Sequence, residues 1–357
     1  MQSVPSVASQ PRSVRTVLRR FVEDLRCTGR IVRGAVRYSR TGSTPSDAYH
    51  SLIHLFCRTN GRSNDFLHAL ARRHFPPAAL PVAQGVLGSL SAADAERVAA
   101  DLRENGYYRP TGPTNRLPAD VCQRLLEFSL RTEANLAPPR KEGPTRGVYD
   151  PAKPIAEGYR FDEASLIEQP DIQRLMADPS LLAVAQAYLG CLPVLSSVFM
   201  IWSTPARVSE NAREELAQMY HFDMDRLKWL KFFFYITEVT SDRGPHCFIA
   251  KSHRTGHQLP ALLARGYVRY PDQELEPYYP ATDRIELTGP PGTLFAVDTR
   301  GYHKGITPRT GDRLMVQLEF CDTLFGAPYQ RPKFPAVCVP ELEARRREFP
   351  RVYSRYD

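Results

Sequence analysis

A histidine and an aspartate two residues apart, His221-Phe222-Asp223, set the tightest constraint on how this chain can fold. In an extended strand, residues two apart project to the same side, so His221 and Asp223 can face one common point while Phe222 turns away. A second histidine sits far downstream in Tyr302-His303-Lys304-Gly305, with Arg313 just beyond it. For His303 to join the first pair, the intervening chain must leave and return beside the same strand. That requirement selects a closed, strand-rich architecture.

The surrounding sequence supplies the strands. Ala217-Gln218-Met219-Tyr220 leads into the pair, and Leu230-Lys231-Phe232-Phe233-Phe234-Tyr235-Ile236 is a short aromatic-rich apolar run, the signature of a buried strand. Ser241-Asp242-Arg243-Gly244-Pro245 reads as a turn before Cys247-Phe248-Ile249-Ala250. Gly289-Pro290-Pro291-Gly292 turns the chain into Thr293–Asp298, which delivers it to His303. Leu314–Phe320 alternates, apolar on one side and mixed on the other, with Arg313 at its start. The fold class that fits is α+β, with a double-stranded β-helix (jelly-roll, cupin-like) core flanked by helices.

Helices are expected on both sides of this core. Ser91 is placed to cap a helix that stops at Asn105-Gly106, and Tyr107-Tyr108-Arg109 reads as a first strand. Further helices follow Leu117 and run from Pro170 to Ala177 and from Pro179 to Tyr188, ending at Gly190. Residues 136–160, rich in Pro, Lys and Arg, read as a loop over the barrel mouth. Residues 204–216 and 255–284 read as insertions suited to substrate selection. Residues 1–90 are expected to form a basic helical extension, 91–330 the barrel domain and 331–357 a C-terminal tail.

Two imidazoles and one carboxylate on one face of a metal leave the opposite positions free, as non-haem Fe(II) oxygenases require for substrate and dioxygen. On that basis residues from about 95 to 330 resemble the phytanoyl-CoA dioxygenase-like family of Fe(II)/2-oxoglutarate oxygenases. The resemblance rests on His221-x-Asp223, Asp242–Arg254, Gly292-Thr293-Leu294-Phe295, and His303 with Arg313 ten residues later. It implies Fe(2+) held by His221, Asp223 and His303, and 2-oxoglutarate anchored by Arg313, with ascorbate as an auxiliary reductant. Gln218 and Phe233 are candidates for the co-substrate pocket. The course implied is hydroxylation of a C–H bond in a small, lipid- or sugar-linked substrate with O2, releasing succinate and CO2. An intact Asp223 fits hydroxylation, because related halogenases lose this carboxylate to make room for chloride. The chain departs from the family pattern at Ala250-Lys251, where relatives often carry Pro-Gly, and at Met315, where some place a hydroxyl. Two other readings stay open: a degenerate oxygenase fold acting as a binding protein, and a cupin-like metalloenzyme that uses no 2-oxoglutarate.

Other residues compete for the site. His246 after Gly-Pro and His253 beside cations read as structural or surface histidines, and His257 as loop. Arg309 lies in a turn and reads as solvent-facing. Asp225 is either a partner of the site or paired with Arg226. Trp202 is either core or a site wall. Seven scattered cysteines with no Cys-x-x-Cys spacing argue against a disulfide framework or zinc cluster. With no apolar run long enough to span a bilayer and no signal-peptide core, a cytoplasmic protein is expected.

The charge is uneven. Through residue 75 there are thirteen arginines, no lysine and four acids, whereas the remainder holds 34 bases against 35 acids. No nucleic-acid partner is expected, since the catalytic part lacks a basic stripe interleaved with aromatics. Within the extension, Val14, Leu18, Phe21, Val22 and Leu25 recur at helical intervals among arginines. They suggest either a weak contact with an anionic membrane surface, nucleic acid or an acidic partner, or a solvated helix packed on the barrel or a disordered leader.

Overall fold

The computed structural model describes residues 14–111, 116–138, 142–206, 216–334 and 339–356. Three helices open it: α1 (Val14–Thr41), α2 (Ser46–Thr59) and α3 (Arg62–His74). A small hairpin, β1 (Gln84–Gly85) and β2 (Gly88–Ser89), leads to α4 (Ala92–Asn105). Ser91 accepts from the Asp94 amide and Asp94 answers at the Ser91 amide, a complete capping box. Gly106 ends α4 at φ +83°, and a Cβ there would collide with His253 and Phe248, so glycine serves both the helix stop and the packing.

The barrel follows. β3 (Tyr107–Tyr108), α5 (Ala119–Arg131), β4 (Glu133–Ala137), β5 (Arg146–Val148) and β6 (Gly158–Arg160) precede α6 (Glu163–Ile167), α7 (Pro170–Met176) and α8 (Pro179–Leu189). Then come β7 (Val194–Ser203), β8 (Trp229–Tyr235), β9 (His246–Ile249), β10 (Arg284–Leu287), β11 (Leu294–Val297), β12 (His303–Gly305) and β13 (Arg313–Cys321). Eight strands form an antiparallel sheet in the order β3-β11-β8-β13-β7-β6-β4-β5, and β10-β9-β12 form a smaller one. Bridges His221↔His303 and Tyr220↔Tyr270 carry the smaller sheet further. Phe233 and Tyr235 of the large sheet share an apolar cluster with Phe248 and Leu287 of the small one, so the two sheets pack face to face. This is the double-stranded β-helix with flanking helices.

Period-two alternation decides what each strand presents. From β8, Leu230, Phe232 and Phe234 join Leu314, Val316, Leu318 and Phe320 of β13 against the helices, in one core with Leu102, Leu125, Leu181 and Val184. The alternate positions, Lys231 and Phe233 of β8 and Arg313, Met315, Gln317 and Glu319 of β13, line a cavity between the sheets.

Two expectations are corrected. Residues 136–160 are not simply a loop: β4, β5 and β6 in this region extend the large sheet through Leu136↔Tyr159 and Tyr159↔Trp202. The strands have only three to five residues, too short for a periodic signal to emerge among prolines. Nor is the C-terminal stretch a loose tail. A helix at Pro340–Glu348 and the following turn bury Leu342, Val352, Tyr353 and Tyr356 in the main core, and Arg355 pairs with Glu163. Among the described residues no helix is long and apolar enough to cross a membrane, and six cysteines are free; Cys338 lies outside the described residues.

The extension is integral to the barrel. Phe56 of α2 stacks on Phe222 with ring centroids 5.4 Å apart, bracing the residue between His221 and Asp223 from behind. Asp65 of α3 binds Arg300, whose backbone amide donates to buried Asp298. Phe56→Ala is expected to cost about 3–5 kcal/mol in chemical denaturation, the usual penalty for deleting a buried aromatic ring. The exposed Phe66→Ala should stay within about 0.5 kcal/mol of the parent. Equal effects of the two would show that α2 does not support the barrel.

Candidate metal centre

His221 and His303 meet through reciprocal backbone bonds, His221 N–H to His303 O at 3.0 Å and the return bond at 2.8 Å. This pairing places the rings side by side, 4.2 Å between centroids. Each ring places Nδ1 against a backbone carbonyl, His221 on Met219 at 2.9 Å and His303 on Gly301 at 3.0 Å. Nδ1 must therefore carry the proton, which leaves both Nε2 lone pairs free. Those atoms lie 3.5 and 3.6 Å from the Asp223 carboxylate, and the three candidate ligand atoms all fall within 4.8 Å of one another. An ion about 2.1 Å from each ligand needs neighbouring ligand atoms roughly 3 Å apart, so the gaps are of the size a divalent metal closes. The structure brings together the three residues that the spacing singled out.

Electrostatics fit the same purpose. Desolvation, aided by the neighbouring imidazole, drives His221 well below its ordinary pKa, and desolvation also lowers His303. Both rings stay neutral, as ligands must. Burial pushes the Asp223 carboxyl up, but the Lys231 ammonium beside it holds it well below the usual range. Lys231 Nζ lies 2.7 Å from Asp223, 2.9 Å from Asp225 and 3.3 Å from Glu319. A lone lysine in the apolar run Leu230–Ile236 was the available signal for this residue, and the sequence reading passed over it. Asp225 resolves as a partner of the site, because Arg226 donates to the Asp225 backbone carbonyl rather than to its carboxylate.

Arg313 enters the same cavity, about 640 Å³ in volume, from the start of β13. It donates to Ser203 Oγ at 2.9 Å and to the Gly244 carbonyl, while Nε has no partner. Among the described residues no carboxylate pairs with it, and burial alone pushes the guanidinium below its ordinary value. A desolvated cation without a counter-ion is costly, and a ligand carboxylate would supply the missing charge. Arg309 instead lies exposed beside Asp242 at 3.4 Å.

The remaining candidates separate. Phe233 lines the cavity and stacks on Phe295. Gln218 is buried but accepts from Thr307 at 2.6 Å and does not line the cavity. Trp202 packs in the core against Tyr149 rather than walling the site. His253 is buried and its Nε2 meets the Arg103 carbonyl, a structural role. His246 departs from expectation. It opens β9, lies buried in the cavity wall 5.4 Å from His303, and its Nε2 has no partner. Arg269, from the 255–284 insertion, also reaches the cavity with a buried, unpartnered Nη1.

No family model matches the chain, and no curated protein matches it. Solved structures with a similar chain course include the non-heme alpha ketoglutarate dependent epimerase SnoN from nogalamycin biosynthesis, at 19% identity over 65% of this chain and 84% of that one, TM-score 0.45. EctD from S. alaskensis with bound Fe shows 21% identity over 69% and 83% of the two chains, TM-score 0.44. HygX from Streptomyces hygroscopicus with nickel and 2-oxoglutarate shows 15% over 67% and 92%, TM-score 0.43. At these scores the chemistry must come from the side chains themselves.

Asp223→Ala should lower Co(II) affinity by more than about 100-fold in a spectroscopic titration, and Lys231→Met by about 10–100-fold, the range for residues that orient a ligand. Unchanged affinity in Asp223→Ala would remove the carboxylate from the metal site.

Proposed function

We propose that this chain is an Fe(II)- and 2-oxoglutarate-dependent dioxygenase, akin to the phytanoyl-CoA dioxygenase-like family, that hydroxylates a C–H bond of a small metabolite. The observation that carries the reading is one cavity holding both a His/Asp/His set with free Nε2 atoms and a buried guanidinium with no counter-ion. Bound iron would supply dioxygen activation, coupled to oxidative decarboxylation of 2-oxoglutarate to succinate and CO2.

The chain's own residues do the rest. His221, Asp223 and His303 would hold the metal through two Nε2 atoms and one carboxylate. Lys231 fixes the rotation of the Asp223 carboxylate. Arg313 receives the far carboxylate of the co-substrate, whose length sets its distance from the metal. Phe233, Met315 and Ile201 line the cavity and keep water from the co-substrate. The wall continues through polar groups, Asn135, Ser197, Gln317 and Arg269, and these favour a hydroxyl- or amine-bearing substrate over a bare acyl chain. Asp223 supplies the carboxylate that related halogenases lack, which favours hydroxylation over halogenation.

Succinate release from 2-oxoglutarate, dependent on Fe(II) and oxygen and stimulated by the right metabolite, is the direct test. Arg313→Ala should raise the 2-oxoglutarate Kd by at least about tenfold through loss of a charge-assisted bidentate contact, while Arg309→Ala leaves it unchanged. Metal binding with no 2-oxoglutarate affinity would instead indicate a metalloenzyme independent of that co-substrate. Binding of both with no turnover would indicate a binding protein.

A further inference from the structure

Helix α1 carries a second feature, remote from the metal. At about 100° per residue, Leu18, Phe21, Val22, Leu25, Val32 and Val36 fall within roughly 100° of arc. All six are exposed, Leu18, Phe21 and Leu25 at 61%, 59% and 56%. The face that packs is a different one: Cys27, Ile31 and Gly34 are buried, with Ile31 in a cluster with Ala48 and Leu52. The helix does pack, but not through its apolar stripe. α1 uses a short opposite face to dock and turns the long apolar stripe outward.

A row of cations borders that stripe. Arg15, Arg19, Arg26, Arg30, Arg33 and Arg37 fall within the next roughly 60° of arc and are all exposed. Among the described residues no carboxylate pairs with any of them. Asp24, on the far flank, is already held by Arg58 at 3.2 Å and His54 at 3.3 Å. We propose that α1 is an interfacial helix that lays the chain on an anionic lipid surface, its apolar stripe entering the acyl boundary and its arginine row meeting the headgroups.

Charge complementarity selects this occupant. Leucine, phenylalanine and valine along the whole length have no role against a nucleic-acid backbone, which arginines alone would serve. A second copy of α1 would cover the stripe but offers only Glu23 to six arginines, since Glu23 and Asp24 are the only acids of the helix and Asp24 is engaged. An anionic bilayer satisfies both rows at once, apolar side chains by burial and arginines by phosphate.

The test is co-sedimentation of the full chain with vesicles of phosphatidylcholine containing about one third phosphatidylglycerol, against pure phosphatidylcholine. Binding is expected to the anionic vesicles and to weaken with added salt. Each Arg→Gln exchange in Arg19, Arg26 or Arg30 should lower partitioning by roughly fivefold. Phe21→Glu with Leu25→Glu should abolish it, with the melting temperature and metal affinity of the parent retained. No binding to anionic vesicles, or equal binding to neutral ones, overturns the proposal. So does a dimer in light scattering that Phe21→Glu dissociates, because a second copy would then be the occupant.

Discussion

The reciprocal backbone pair between His221 and His303 is the contact on which the site depends. Residues far apart in the sequence become neighbours only because the small sheet receives the His221 segment along the edge of β12. The pairing is specific because a strand slipped by one residue presents its other face. With a one-residue slip, Phe222 would point into the cavity and both ligands away from it. The register is held from behind, where Phe222 is fully buried between Phe56 and Tyr302. An apolar ring buried outside the cavity thus turns two polar side chains into it.

That arrangement makes the N-terminal helices part of the active architecture even though none of their side chains lines the cavity. α2 supplies Phe56, and α3 supplies His68, whose Nδ1 lies 2.7 Å from the buried Asp322 carboxylate just past β13. The C-terminal residues do the same on the other side through Arg355 and Glu163. Removing either end would expose apolar surface of the barrel rather than trim an appendage.

Much of the candidate site's geometry was legible in the sequence because its information is local. His221 and Asp223 declare a shared face by spacing, and the strand around Arg313 alternates without interruption. Ser91, Asn105-Gly106 and Gly190 marked helix ends through capping chemistry, which depends on immediate neighbours. What escaped was set by distant packing. His246 looked like a turn histidine because Gly-Pro precedes it, yet its side chain points inward once β9 pairs with β12. Lys231 was hidden in an apolar run, where only the three carboxylates that fold around it give it a role. The outward stripe of α1 could not be told from an inward one, since periodicity shows that a face exists but not which way it looks.

The charges of the cavity give these pieces a common logic. A buried ion costs several kcal/mol unless compensated, so the balance of charge in a closed space is informative. Around the ligands, Asp223, Asp225 and Glu319 outnumber Lys231, although burial lifts Glu319 and softens the surplus. The imidazoles are neutral and Arg269 lines the same cavity, so what this end lacks is a partner for the two free Nε2 lone pairs rather than net charge. At the other end Arg313 is short of negative charge, having only a carbonyl and a hydroxyl as partners. A divalent cation would satisfy the first, and a dianionic ligand would supply the charge that the second lacks. Neither would be enough alone, because the metal leaves Arg313 unpaired and the anion has nothing to chelate without the metal. The two requirements are complementary, so binding of one is expected to strengthen binding of the other, as sites that neutralise each other do in a medium of low dielectric.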